Sequence, residues 1–318
     1  YSRIRHGERM ILTKTPLRIS FVGGGSDRPW FYQEEPGACV AASIDRFVWV
    51  AVNPKYDGSI RAAYSVTENV NSVDDLQHEL IRECLKLAGW LQGVEVHSIA
   101  DIHGGSGLGS SSAFTVGLVH ALWPEGVAPH WLASWASEVE INRCHNPIGK
   151  QDQYNAACGG VNLLGFTSKG VTVEPIACDL DALSSHCLLL DTGLARAGDA
   201  GAVLAAQQQD RDDVRTLAQL AHEFAFELRA SNLLRCGVLM SVAWDIKRRY
   251  IRNEQIDVWY SRALGHGAWG GKLCGAGGGG FLLFLAPPEK HAAIVKSLGL
   301  RHVPIRVGVE GCHVVHHS

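Results

Sequence analysis

Apolar and polar side chains alternate with period two along Leu17-Arg18-Ile19-Ser20-Phe21-Val22, which predicts a strand that runs into Gly23-Gly24-Gly25. Val48-Trp49-Val50-Ala51-Val52, closed by Asn53-Pro54, predicts a second strand, and Val94-Glu95-Val96-His97 begins a third. Ser72 is placed to cap a helix reaching about Leu87, with Gly89 ending it. Ser110 opens an apolar helix over Ala113 to Leu122, stopped by Pro124, and a further helix is expected from Pro129 to Asn142. Short strands and turns then take over around residues 165–185, marked by Gly165, Gly170 and Pro175. Long helices are expected at about 199–229 and 231–250, a buried strand at Phe281–Leu285, a short helix after Pro287-Pro288 and a last strand at Val303–Val307. This order reads as α+β, with antiparallel strands among helices. The change of pattern near residue 175 places two domains at 10–175 and 176–318.

Composition narrows the function. The 318 residues are 46 % apolar and 19 % charged, which suits a packed chain and excludes a disordered one. Lys and Arg number 29 against 32 Asp and Glu, a net charge of −3, so a general nucleic-acid binder is not expected. No run approaches the ~18 apolar residues of a membrane span. The basic N-terminus lacks an apolar stretch behind it, so no secretion signal is expected. Nine cysteines without a C-x-x-C pattern read as buried thiols in a reducing, cytoplasmic setting. His313, His316 and His317 fit a solvated tail as well as they fit a metal site.

Glycine changes the picture. The chain has 35, clustered at Gly23–Gly25, Gly104–Gly109 and Gly275–Gly280, and three such loops suggest one ligand approached closely by main chain. The second cluster, Gly104-Gly105-Ser106-Gly107-Leu108-Gly109 followed by Ser110-Ser111-Ser112, lies between a strand and a helix. Unpaired amides and the dipole at a helix start attract anions, so this segment reads as a phosphate loop. Ser110 stands where a Walker A loop has lysine, and no Gly-x-Gly-x-x-Gly register fits the segment, which argues against P-loop and dinucleotide folds. The third cluster precedes a strand and is expected to abut the phosphate loop through main chain.

Three motifs in order give the chain a resemblance to the GHMP kinases. Thr15-Pro16-Leu17-Arg18-Ile19-Ser20-Phe21-Val22-Gly23-Gly24-Gly25-Ser26-Asp27 is similar to the family's first motif and Gly105 to Ala113 to its phosphate loop. Lys272-Leu273-Cys274-Gly275-Ala276-Gly277-Gly278-Gly279-Gly280-Phe281 is similar to the third. With Gly149-Lys150-Gln151-Asp152-Gln153-Tyr154, the opening motif most resembles the branch acting on D-glycero-D-manno-heptose 7-phosphate, which supplies nucleotide-activated heptose for surface polysaccharides. His103, where the family usually has proline, and Arg28, where the branch more often has an apolar residue, depart from the pattern.

The resemblance implies a ribosomal protein S5 domain 2-like N-terminal domain, a ferredoxin-like C-terminal domain and an ATP- and Mg²⁺-dependent sugar kinase. The implied reaction phosphorylates the anomeric hydroxyl of the heptose 7-phosphate. The rivals are a kinase for an unphosphorylated sugar such as fucose or galactose, and a catalytically silent sensor that binds ATP and sugar. A homodimer stays open.

Phosphoryl transfer needs positioning and neutralised charge, with a base at the acceptor hydroxyl. Asp152 matches the family's catalytic aspartate, although an Asp after a Gly-Lys-Gln turn also caps helices. Glu140 resembles the magnesium glutamate, with Ser111 as its hydroxyl partner; Glu138 is the rival on the same helix. Arg18 either points into the cleft to steady transferred charge or faces outward. Lys150 either keeps Asp152 ionised, binds a sugar phosphate or faces water. Gly105 to Ser112 (with Ser106, Gly107, Leu108, Gly109, Ser110 and Ser111), Gly277 and Gly278 are expected around the nucleotide. Gly24, Gly25, Ser26 and Asp27 are expected around the sugar, Asp27 doubling as a turn former. By analogy with related kinases, the Thr192-Gly193 strand end with Arg196 faces the substrate, and Arg28 and Arg196 are candidates for its distal phosphate.

Overall fold

The computed structural model describes residues 9–194, 209–251 and 253–317. The alternation at residues 17–22 belongs to a longer strand, β1 (Ile11–Val22), paired antiparallel with the 18-residue β2 (Gly37–Pro54). Nearly all of β1 is buried because helices cover it, so its alternation is not between core and solvent. β3 (Ile60–Ala63), β4 (Thr67–Val70) and β5 (Val94–Ala100) extend the sheet beyond the second half of β2. β6 (Val161–Thr167) and β7 (Gly170–Pro175) extend it beyond the first half.

A second, four-stranded antiparallel sheet contains β8 (Cys187–Asp191), β9 (Gly270–Leu273), β10 (Phe281–Leu285) and β11 (Arg301–His302), in the order β11-β8-β10-β9. Leu188, Leu190, Leu282 and Phe284 of this sheet form a core with Trp244, Ile256 and Ile294 of nearby helices. The helix Arg211–Arg229 buries Phe224 in the larger core under β1 and β2, where the Phe21 and Phe224 rings stack at 5.1 Å, and Leu233–Lys247 serves both cores, with Leu239 and Met240 in the larger one.

Several sequence expectations shift. Ser72 caps only a short 3-10 turn, Val73–Asp75; the helix proper is Glu79–Ala88, capped by the His78 ring and ended by left-handed Gly89. The stretch Val303–Val307 is not a strand: the Val303 amide donates to the Leu189 carbonyl of β8 at 2.9 Å, and Val307 makes a single bridge to Ile44 of β2. The last strand is β12 (His313–His317), paired with β1, so the histidine-rich end is part of the first sheet and not a free tail. The helix begun at Pro129 stops at Ser137 and widens into a π turn over Glu138–Arg143. Of the two long helices, the described parts are Arg211–Arg229 and Leu233–Lys247. All nine cysteines carry free thiols. No described helix is long and apolar enough to cross a membrane.

Candidate active site

The second glycine loop, the expected phosphate loop, is fastened from below. The Arg18 amide donates to the Leu108 carbonyl at 3.0 Å, which joins the loop to β1, and the helix Ser110–Leu122 starts at left-handed Gly109 without a side-chain cap. Its first amides have no intrahelical acceptor. The third glycine segment lies against this loop: a Cβ on Gly107 would stand 2.6 Å from the Cys274 carbonyl oxygen, and Gly107 has φ +82°. Glycine is needed there on both counts. Thr192 secures the other end of that segment, its amide and hydroxyl donating to the Gly280 carbonyl at 2.9 and 2.6 Å.

The junction of the loops opens into a cavity of about 390 Å³. Gly105, Gly107, Gly109 and Ser110 to Ser112 line it, as do Gly25, Asp27, Arg28, Arg18, Glu140 and Asp152. Arg18 is 4 % exposed and points inward, which decides between its two readings. Its guanidinium donates to both oxygens of Asp152, Nε to Oδ1 at 2.7 Å and Nη2 to Oδ2 at 2.5 Å, while Nη1 donates to the Gly107 carbonyl at 2.7 Å. One buried cation thus fixes the orientation of the Asp152 carboxylate relative to the phosphate loop; bidentate geometry suits arginine and not lysine.

Glu140 is almost wholly buried, and burial pushes its carboxyl up to about 7, opposed by hydrogen bonds from Gln153, Ser112 and Ser111. Gln153 Nε2 donates to Oε1 at 2.8 Å and Ser111 Oγ to Oε2 at 3.3 Å. No described cation lies within ion-pairing distance of it, and the oxygen donors of Glu140 and Ser111 suit Mg²⁺. The π turn separates the two glutamates: Glu140 turns into the cavity, whereas Glu138 accepts from Asn142 on the surface.

Asp27 buckles the first glycine loop to the helix Gln151–Cys158. Its Oδ1 accepts from the Gly25 amide at 3.0 Å and its Oδ2 from the Gln151 amide at 3.3 Å. Burial raises its carboxyl above the ordinary value, partly countered by the Gly25 hydrogen bond. Other expected site residues face elsewhere. Ser26 is fully buried and its hydroxyl donates to the Gly23 and Ala38 carbonyls, because it closes the turn. Ser106 and Leu108 alternate inward from the loop, Leu108 entering the main core. Gly277 packs against Ile251, and neither it nor Gly278 lines the cavity, where Gly275 and Ala276 stand instead. Thr192 braces the third loop from outside the cavity, and the Gly193 amide donates to Asp191 Oδ1, also outside it. Lys150 stands with Nζ 5.0 Å from the centre of the Tyr32 ring and makes no ion pair with Asp152. Gly24 lies beside Lys247, and Arg196 falls outside the described residues.

Sequence reasoning missed Lys247, Lys272, Gln151, Gln209 and Ser20, which all line the cavity. Lys247 ends a helix, where a lysine ordinarily faces water, so nothing local marked it. Lys272 did carry a signal: a lone lysine at the head of the third glycine motif, in a strand whose four residues are all buried.

Two family models match the chain. Residues 75–160 match the GHMP kinases N-terminal domain and residues 202–298 the GHMP kinases C-terminal domain, together more than half of the chain. A Campylobacter jejuni protein named D-glycero-alpha-D-manno-heptose 7-phosphate kinase is 26 % identical over 91 % of this chain and 93 % of its own length. A galactokinase of Pyrococcus furiosus is 23 % identical over 89 % and 91 %. Among solved structures, a D-glycero-D-manno-heptose 1-phosphate kinase from Bacteriodes thetaiotaomicron superposes with a TM-score of 0.79 at 23 % identity, covering 96 % of this chain and 99 % of that one. With the phosphate loop, the third glycine segment and Asp152 gathered in one cavity, and both family domains matched in order, this chain belongs to the GHMP kinases.

Proposed function

We propose that this kinase transfers the γ-phosphoryl group of ATP to the anomeric hydroxyl of D-glycero-D-manno-heptose 7-phosphate, giving the 1,7-bisphosphate and ADP. The observation that carries the reading is the Asp152 carboxylate, clamped by Arg18 beside the phosphate loop. The 26 % identity to a heptose 7-phosphate kinase supports the sugar.

In the proposed reaction Asp152 accepts the proton of the attacking hydroxyl as the new oxygen–phosphorus bond forms and the bond to the ADP oxygen breaks. Arg18 keeps the carboxylate aimed and places positive charge next to the transferring group. The amides at Ser110 to Ser112 hold the phosphate chain. Glu140 and Ser111 would hold Mg²⁺, which supplies neutralisation of the nucleotide's charge when bound. Asp27 is suited to accept from a sugar hydroxyl at the first glycine loop.

A panel of heptose 7-phosphate, free heptose, mannose, galactose and fucose, read by ADP release, tests the reading. Preferred turnover of the heptose phosphate supports it. Turnover of a free hexose in preference would replace the substrate, and ATP binding without ADP release from any sugar would turn the reading toward a sensor.

A further inference from the structure

We propose that Lys247, Lys272 and Arg28 form the subsite for a phosphate already present on the acceptor sugar, and that Lys247 sets the preference for a phosphorylated over a free sugar. The inference rests on the kinase reading above and deepens it by assigning residues to the substrate's far end.

Three cations from distant segments line the cavity: Arg28 from the first loop, Lys247 from the end of a helix, and Lys272 from β9, with Lys247 close enough to repel Lys272. Lys272 is 3 % exposed and Arg28 8 %, and the buried Nε of Arg28 has no hydrogen-bond partner. Among the described residues no carboxylate lies within ion-pairing distance of any of the three. Asp27, the acidic side chain that acts on both Lys247 and Arg28, already accepts from two backbone amides. Buried cations without a counter-ion are costly, and a bound anion would relieve that cost. Burial, with repulsion from Lys247, pulls Lys272 down to about 7, and burial lowers Lys247 as well.

The neighbours of these cations specify more than charge. Around the first glycine loop, Gln151 and Gln209 each leave a buried amide oxygen without a donor, and the Ser20 hydroxyl is likewise unpartnered. Lys247 Nζ stands 3.1 Å from the place a Cβ on Gly24 would take, with Gln151 Nε2 3.4 Å and Ser20 Oγ 3.8 Å from that same point. Gln209 Oε1 stands 2.9 Å from the corresponding point on Gly25. Unfilled acceptors interleaved with unpaired cations complement a ligand that carries both hydroxyl donors and fixed negative charge. A sugar phosphate has both; the terminal phosphates of a nucleotide have no hydroxyl hydrogens to give to an amide oxygen.

The experiment compares the parent protein with Lys247→Met, Lys247→Arg and Lys272→Met, using heptose 7-phosphate and free heptose. For Lys247→Met the KM for heptose 7-phosphate should rise about 10- to 100-fold, the loss of one charge-assisted contact. The KM values for ATP and free heptose, and the kcat, should stay close to the parent's. Lys247→Arg should retain most of the preference, and Lys272→Met should shift it in the same direction as Lys247→Met. Calorimetric binding of heptose 7-phosphate without nucleotide should show the same loss, a readout independent of turnover. Equal losses on both sugars, or a raised KM for ATP, would overturn the inference while leaving the kinase intact. A parent protein that phosphorylates both sugars equally well would also overturn it. A parent that releases no ADP with any sugar defeats the kinase reading instead, and calorimetry still decides whether Lys247 holds the phosphate. Melting curves confirm that each variant is folded, and Lys272→Met carries the test should Lys247→Met fail to fold.

Discussion

Replacing Asp152 by Asn separates the chemistry of the site from its architecture. Asn keeps one oxygen for the Arg18 Nε at 2.7 Å but sets an amide NH₂ against Nη2, where a carboxylate oxygen stood at 2.5 Å. One charge-assisted hydrogen bond is lost beside a buried guanidinium, which costs about 1.5–3 kcal/mol. Arg18 retains its bond to the Gly107 carbonyl, so the phosphate loop keeps its anchor. A protein with an ordinary stability of roughly 5–15 kcal/mol stays folded after such a loss. Removing a general base, by contrast, lowers turnover about 10²- to 10⁴-fold. The kinetic effect therefore exceeds anything a small folding deficit can produce. Steady-state ADP release at saturating ATP and sugar, paired with thermal melting and nucleotide titration, checks this. We expect a melting point lowered by a few degrees, a Kd for nucleotide near the parent value and a kcat collapsed by orders of magnitude. A kcat within a few-fold of the parent would refute the assignment of Asp152, as would a loss that tracks the fraction unfolded.

Other outcomes follow from the same geometry. Glu140→Gln keeps the shape and removes the charge, so the Mg²⁺ concentration for half-maximal rate should rise about tenfold or more; an unchanged Mg²⁺ titration would remove Glu140 from the metal's holders. Gly107→Ala forces a Cβ to 2.6 Å from the Cys274 carbonyl at φ +82°. It should cost about 1–2 kcal/mol from backbone strain alone and more from the clash, and the KM for ATP should rise; a parent-like melting curve and KM would show that the loops are not locked together. Lys272 ionises near 7 when folded and near 10.5 in an ordinary setting. Between those values the unfolded chain holds a proton the native state has released, so this group's contribution to stability rises with pH across that window. Denaturant titrations should show Lys272→Met gaining on the parent by roughly 3 kcal/mol more at pH 6.5 than at pH 9.5; an equal difference at both pH values would contradict the lowered ionisation.

Much of the site was legible because its chemistry is local. Glycine at Gly107 and Gly109, three serines at the head of an apolar helix, and the spacing of the motifs all express backbone needs that a short window records. Gly89 as a helix stop and Phe281–Leu285 as a buried strand were readable for the same reason. The direction of a side chain was not. Ser106 and Leu108 sit in the right loop yet point into the fold, and Lys150 lies two residues from Asp152 yet stands over Tyr32.

The sequence by itself determined which glycine-rich loops let main chain come close and which carboxylates were available, since both depend on residue type and near neighbours. Tertiary structure decided that Glu140 and not Glu138 enters the cavity. It also joined Arg18 to Asp152 across 134 positions of chain, carried Lys247 to the first glycine loop and turned Lys272 into the same cavity. Those outcomes come from the packing of two sheets and their helices over shared cores. Burial is gained by surfaces far apart along the chain, so no single stretch encodes which groups it will bring face to face.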